Sequence, residues 1–287
     1  MILVDIVCPI YKNIEQIKSL YHSILLQEDV KINKVVFPFT LSGEEVDEEI
    51  RSFLKENRIT YFEVEQKDFS HSLTREKAVR EYCSGDVVIY VSQDVKLIDP
   101  KAFHNISSVI NDEVIYAFGK QICEYHSIER YIRKKNYPKK SYIVSTGDIE
   151  KMQLIAFYAS DAFSCLSRKH FIELGGYNGH NVMMSEDMLY SKILLDAGYK
   201  KAYVAEAVVA HSHKYTIKQL YRRYYALGIF HEQNKVFDQY KTNVSGMKLA
   251  FYVLGQALIH FNIPVLFRWL PDMTARYLGM KKGRKAA

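Results

Sequence analysis

The sequence predicts an α/β fold, a mostly parallel sheet flanked by helices and followed by a C-terminal helical tail. Three observations point there. Continuous apolar, β-branched runs recur along the first two thirds of the chain, as in strands buried on both faces. Segments with helical apolar spacing separate these runs, the alternation that builds a parallel sheet with helices on its faces. From residue 216 onward the pattern is helical alone. A length of 287 residues suits one large domain with an appendage. The expected boundary lies near residue 215, between a domain over 1–215 and a basic helical tail over 216–287.

Residues 2–10 (ILVDIVCPI) read as the first strand. Ile14, Ile17, Tyr21, Ile24 and Leu25 recur at helical spacing and predict a helix over 14–28. NKVVFPF (33–39) predicts a strand, and Val46, Ile50, Phe53 and Leu54 share one face of a helix over 44–57. ITYFEVE (59–65) is a strand and 72–83 a helix. DVVIYVSQD (86–94) is the next strand, after the turn residues Ser84 and Gly85. VIYAFGKQI (114–122) reads as a strand, 127–137 as a helix ended by Pro138, and 139–149 as a loop. The run over 162–177 turns from strand to short helix and closes at Gly175 and Gly176. Ser185 is placed to cap a helix from Glu186 to Asp196, and AYVAEAVVAH (202–211) completes the sheet.

Composition is that of an ordinary globular protein, 48% apolar and 25% charged, with no repeat period and no low-complexity tract. Cys8, Cys83, Cys123 and Cys165 form no C-x-x-C pair and read as buried reduced thiols. The N-terminus has no basic region ahead of its apolar run and carries Asp5 within it. It reads as a strand, not a signal peptide, and a cytoplasmic protein is expected. Of 39 basic and 33 acidic residues, eight and one lie in 241–287, leaving 31 and 32 in the remainder. That balance speaks against a nucleic-acid surface on the main domain and for a tail beside anionic lipid. The tail's apolar stretch 249–261 is too short to span a bilayer. With Arg268, Trp269 and the terminal KKGRK it predicts an interfacial helix pair; a helical cap on the main domain has the same amphipathic pattern.

In parallel α/β sheets, ligands bind beyond the carboxyl ends of the strands. Three polar clusters fall at such ends: Pro9-Ile10-Tyr11, Ser92-Gln93-Asp94 and His211-Ser212-His213. A fourth, Ser185-Glu186-Asp187, opens a helix. A strand-end carboxylate and a strand-end histidine pair can meet around one hard divalent cation, which would screen a diphosphate leaving group. Taken singly, Asp94 also suits a turn former, Glu186 and Asp187 a helix dipole, and the histidines a surface strand end.

Eight pieces in order carry a resemblance: CPIYKN (8–13), DFSHSLTREKAV (68–79), GDVVIYVSQDV (85–95), LGGYN (174–178), SEDM (185–188), AGYK (197–200), HSHKY (211–215) and RRYYALGIF (222–230). On these, from residue 3 to about 231, the chain resembles family 2 glycosyltransferases of GT-A fold. Within them it is similar to the rhamnosyltransferases that build bacterial surface polysaccharides. The resemblance implies an inverting transferase that moves rhamnose from dTDP-rhamnose to a saccharide acceptor, lipid-linked, in cell-surface polysaccharide synthesis. It implies no nucleic-acid partner and, through the tail, a peripheral position on the inner face of the cell membrane.

The same resemblance implies that Pro9 and Tyr11 line the nucleobase pocket, and that His71, Arg75, Gln93 and Asp94 lie along the donor. Asp187 is the implied general base and Glu186 its acceptor-side neighbour. Asp94, His213 and His211 are the implied ligands of Mg or Mn, and Arg222 or Arg223 add charge against the leaving group. Gln219, Arg222 and Tyr224 echo a Q-x-x-R-W motif without its Trp. Two departures bear on the donor. Thr40 and Ser42 stand where the second strand usually ends in an acid, and Ser72-Leu73 with Glu76 replace the usual Gly-Gly and Asn. A transferase using another UDP- or dTDP-sugar, or a catalytically weak subunit of an assembly complex, remains open on these residues.

Overall fold

The computed structural model describes residues 2–240 and 243–287. Strand β1 (Leu3–Val7) is buried through Val4, Ile6 and Val7, as its unbroken apolar run requires. The polar exception, Asp5, is also fully buried. Its carboxylate accepts the Ser84 and Gly85 N–H groups, each at 2.6 Å, and an Asn33 amide hydrogen at 2.7 Å. Asp5 thereby ties the turn before the next sheet strand to β1. Gly85 is needed there because a Cβ would lie 2.8 Å from the Leu3 carbonyl oxygen.

The chain continues through β2 (Ile10–Tyr11), α1 (Ile14–Leu25), β3 (Lys31–Thr40), α2 (Val46–Glu56), β4 (Thr60–Val64) and α3 (His71–Lys77). A π-helical turn, Ala78–Tyr82, extends α3 into β5 (Val87–Val91) and α4 (Ala102–Ser107). Then follow β6 (Val114–Ile122), α5 (Ile128–Asn136), β7 (Tyr142–Val144), α6 (Ile149–Met152), β8 (Phe163–Ser167), α7 (Arg168–Glu173), α8 (Glu186–Asp196) and β9 (Lys200–Ala210). Helices α9 (Ile217–Gln233), α10 (Asn243–Ile259) and α11 (Ile263–Arg284) end the chain.

Among the described residues nine strands form one sheet in the order β2-β3-β1-β5-β8-β6-β9-β7, with β4 paired on β3. Strands β1 to β5 pair in parallel, while β8 runs antiparallel to both β5 and β6 and β7 antiparallel to β9. The 139–149 segment, expected to be a loop, contributes β7. Three residues pairing with Tyr203, Ala202 and Lys201 are too few to show a period in sequence. Helix α1 starts where Asn13 accepts the Gln16 N–H, and buries Ile14, Ile17, Leu20 and Ile24 at the expected spacing.

Contacts divide the chain into two compact units. The first comprises the chain up to Gln121, Lys139–Gly147 and Phe157–His211, and holds the sheet with its apolar core. The second gathers Ile122–Pro138 and Asp148–Ala156 as well as Ser212–Ala287. Its core sets Ile128, Tyr131 and Ile132 of α5 against Val253, Ala257 and Val265. Helix α11 lies so close to α9 that a Cβ on Gly283 would fall 2.0 Å from the Tyr225 carbonyl oxygen. Arg276 is the polar centre of this unit, binding Asp272 at 2.6 Å, Glu129 at 2.7 Å and the Tyr224 hydroxyl at 2.5 Å. Trp269 does not serve as an outward interfacial anchor: its indole N–H donates to the Ala250 carbonyl at 2.9 Å and its ring packs on the unit's core. Lys241, one of the eight basic tail residues, lies outside the described residues.

Candidate active site

Antiparallel β8 determines which ends of the sheet meet. Its register sets Phe163 opposite Val91, and the Ser92 N–H donates to the Ala162 carbonyl at 3.0 Å. The start of β8 therefore lies beside the carboxyl end of β5. The end of β6 reaches the same place, where the Gln121 amide donates to Ser160 Oγ at 2.8 Å. A short bridge closes the group: Lys96 N–H donates to Ala210 O at 2.8 Å and Ala210 N–H to Lys96 O at 3.0 Å. Asp94 and His211 flank this bridge.

Asp94 Oδ1 stands 3.4 Å from His211 Nε2. The Gln121 amide nitrogen is committed to Ser160, so its Oε1 accepts from His211 Nδ1–H at 2.9 Å. That tautomer turns the Nε2 lone pair towards Asp94, the arrangement found behind metal-binding histidines. Neighbouring ligands of an octahedral Mg or Mn, each about 2.1 Å from the ion, lie about 3 Å apart. The carboxylate, the oriented imidazole and their spacing fit such an ion. His213 follows two residues later, as the second residue of the last segment of the helical unit, and its ring meets that of Tyr215 at 4.7 Å.

Asp187 is placed at the same end of the sheet through Asp161, the residue before Ala162. Asp187 Oδ1 accepts the Met188 N–H at 2.7 Å, and its carboxylate also accepts the Asp161 N–H. Ser185 occupies the capping position of α8 in a left-handed conformation (φ 65°), but its side chain makes no capping bond. The cap expected there is replaced by Asp187 itself. Burial raises the Asp187 pKa well above the usual carboxylate range, and the charges of Glu186 and Asp161 raise it further. Asp161 is also raised by burial, despite hydrogen bonds from Tyr116 and Ser164 (2.6 Å each) and Tyr177 (3.2 Å). Beneath them lies Lys201, 1% exposed, donating to the Tyr158 carbonyl at 2.5 Å. Burial pulls its pKa down to about 7 against the opposing charge of Asp187.

Arg75 and Glu186, expected as donor and acceptor contacts, are buried and bound to each other at 2.5 Å, with the guanidinium over the Tyr90 ring. Arg75 also reaches His71 Nδ1 at 3.1 Å, and His71 is half-buried. Glu76 accepts the Tyr177 N–H at 2.9 Å and holds the LGGYN turn.

Gln93 clamps the main chain of Tyr11, accepting its N–H at 2.6 Å and donating to its carbonyl at 3.2 Å. Pro9 stays half-buried and the Tyr11 ring exposed. Near that ring, beyond β3 and β4, opens a cavity of about 510 Å³ lined by Ser42, Gly43, Asp47, Arg51, Glu65 and Gln66 among others. A carboxylate from α2 stands beyond the end of β3. Asp47 accepts from Ser42 N–H, Ser42 Oγ and Gly43 N–H at 2.7 to 2.9 Å. Burial opposes its ionisation, but these bonds hold its pKa below the usual range.

Arg222 and Arg223 are exposed on α9 in the second unit, where Gln219 completes a capping box with Thr216. Sequence reasoning missed Asp161, Gln121 and Lys201. Each lies beside an apolar run with no motif of its own, and only partners distant in the chain reveal its use.

No family model matches the sequence. Among curated proteins, the O-antigen chain rhamnosyltransferase RfbN of Salmonella typhimurium is 33% identical over 233 residues, which cover 79% of this chain and 73% of RfbN. The O-antigen chain rhamnosyltransferase WbaN of Salmonella anatum is 30% identical over 228 residues, covering 77% and 71%. Among solved structures, the mannosyltransferase PcManGT from Pyrobaculum calidifontis, in complex with GDP-Man and Mn2+, gives a TM-score of 0.63 at 13% identity, covering 98% of this chain and 86% of that one. TarS of S. aureus (residues 1–349), in complex with UDP-GlcNAc, gives 0.58 at 12% identity, covering 99% and 92%. At such identities the likeness concerns the fold, which is that of GT-A glycosyltransferases.

Proposed function

The chain belongs to the family of O-antigen chain rhamnosyltransferases, and from that premise we propose an inverting, family 2 transfer of rhamnose from dTDP-rhamnose to a saccharide acceptor carried on a lipid. The observation that carries the chemistry is the meeting of Asp187 and the Asp94–His211 pair at one end of one sheet. Asp187 takes the proton of the acceptor hydroxyl as its oxygen attacks the anomeric carbon. The nucleoside diphosphate departs from the opposite face with the electron pair of the broken C–O bond. With one base and no carboxylate acting as nucleophile, the anomeric configuration inverts.

Asp94 and His211, joined by His213, hold Mg or Mn. His213 follows His211 by two residues in the sequence. When bound, the cation neutralises charge on the diphosphate. Pro9 and the exposed Tyr11 ring border the nucleobase, with Gln93 fixing the Tyr11 backbone. The buried Arg75–Glu186 pair supports this wall and the acceptor side by position, with the half-buried His71 at its edge. In this reading residues 1–215 carry the chemistry and 216–287 bring the protein to the inner face of the cell membrane. No helix among the described residues is long and apolar enough to cross a membrane.

The test is a donor screen with the full chain and a saccharide acceptor, with Mg, Mn or chelator present. Product is expected from dTDP-rhamnose in preference to UDP- and GDP-sugars, with loss of product on chelation. Equal use of a UDP-sugar would replace the donor while leaving the roles of Asp187 and Asp94 standing.

A further inference from the structure

The outer face of α11 is unused by the packing of its own unit. Val265, Asp272, Ala275, Gly279 and Gly283 form the buried face. At a hundred degrees per residue, Ile263, Phe267, Leu270, Tyr277, Lys281 and Lys285 fall on the opposite side. All six are exposed. Phe251 and Ile259 of α10 are exposed as well, as is Phe261 in the turn between the two helices. Phe261 is 87% exposed and Phe267 82%, in a run of apolar side chains of the kind that marks an interaction surface on a soluble protein.

Charge names the partner. Lys281, Lys282 and Lys285 close the helix at the end its dipole favours for cations. Among the described residues of α10 and α11 the one acid is Asp272, which is buried and bound by Arg276. At the lysine end the exposed Asp238 is bound by Arg284 at 2.8 Å. An apolar stripe running into lysines complements a surface that is oily within and anionic at its boundary. We propose that the α10–α11 face lies flat on an anionic lipid bilayer. Phe261, Phe267 and Leu270 enter the headgroup boundary, and the three lysines meet lipid phosphates. This inference rests on the reading that 216–287 bring the protein to the membrane, names the face and the lipid class, and does not depend on the donor or base assigned above.

The test is cosedimentation of the full chain with vesicles of phosphatidylglycerol and phosphatidylcholine, against phosphatidylcholine alone. Sedimentation is expected with the anionic vesicles. Phe261→Ser combined with Phe267→Ser should lower binding on the order of a hundredfold. Lys281→Gln with Lys285→Gln should lower it roughly thirtyfold at low salt, and the difference should vanish at high salt. Because all four side chains are exposed, thermal unfolding and nucleotide binding should match the wild type. Should the phenylalanine pair fail to fold, Ile263→Ser with Leu270→Ser tests the same stripe. Truncation is unsuitable because it uncovers the α9 face that packs on Gly279 and Gly283. Absence of wild-type binding to anionic vesicles overturns the proposal, as do variants that bind like the wild type. Self-association of the wild type that Phe267→Ser abolishes, without vesicle binding, assigns the face to a second copy instead.

Discussion

The Asp187 carboxyl is held above the usual range by burial first and by the Glu186 and Asp161 charges next. A base acts only when ionised, so transfer should rise with pH through that raised pKa and fall below it. Asp161→Asn removes one of the charges opposing ionisation and should move the acid limb of the pH–rate profile to lower pH, while leaving one oxygen for Tyr116 and Ser164. An unmoved limb would separate Asp161 from the base. Asp187→Asn should cost about 10²- to 10⁴-fold in rate with nucleotide affinity nearly unchanged, since an amide cannot take the proton. Lys201 gives a stability test of opposite kind. Its folded pKa of about 7 lies below the ordinary lysine value, so between the two the unfolded chain binds more protons and stability rises with pH. In Lys201→Met that rise should shrink in urea melts across the same window. Asp187, Asp94 and His211 were legible in sequence because they end strands or open a helix. Asp161 and Gln121 were not, because their meaning comes from Asp187, Tyr116 and His211, all distant in the chain.

Elements decide which of these residues meet. Asp94 follows β5, His211 follows β9, and the bridge between Lys96 and Ala210 aligns them. Groups acting on one ion couple energetically, so Asp94→Ala and His211→Ala should weaken Mn-dependent nucleotide binding by less together than the sum of their separate effects. Additive losses in a double-mutant cycle would place them in separate sites. Gln121→Leu should also weaken Mn affinity, about 10- to 100-fold, by releasing the His211 ring. In the helical unit, Gly283→Ala should destabilise the packing of α11 on α9, seen as a lower unfolding midpoint, because the Tyr225 carbonyl occupies the space of a Cβ. The long strands were readable from their apolar runs, α1 and α2 from helical period, and α8 from Ser185 and Gly198 at its ends. Strands β2 and β7 and helix α4 were not, being two, three and six residues long and stabilised mainly by their neighbours.

Over the whole molecule, the sheet unit is net acidic, with 21 basic and 26 acidic residues, and carries the candidate chemistry, while the helical unit, with 18 basic and 7 acidic residues, carries the apolar face. The sequence pattern expects a boundary near residue 215, and by contacts the last segment of the helical unit starts at Ser212. It did not show that Ile122–Pro138 and Asp148–Ala156 join the helical unit, because those segments look like ordinary connections within the sheet. The central claim is that this chain moves rhamnose from dTDP-rhamnose by direct displacement, with Asp187 as base. The most direct measurement is the NMR spectrum of the product formed from dTDP-rhamnose and a saccharide acceptor, run beside Asp187→Asn. The account predicts a single rhamnoside of anomeric configuration opposite to the donor's, absent with the variant. A product of retained configuration, or one formed equally well by Asp187→Asn, would contradict it.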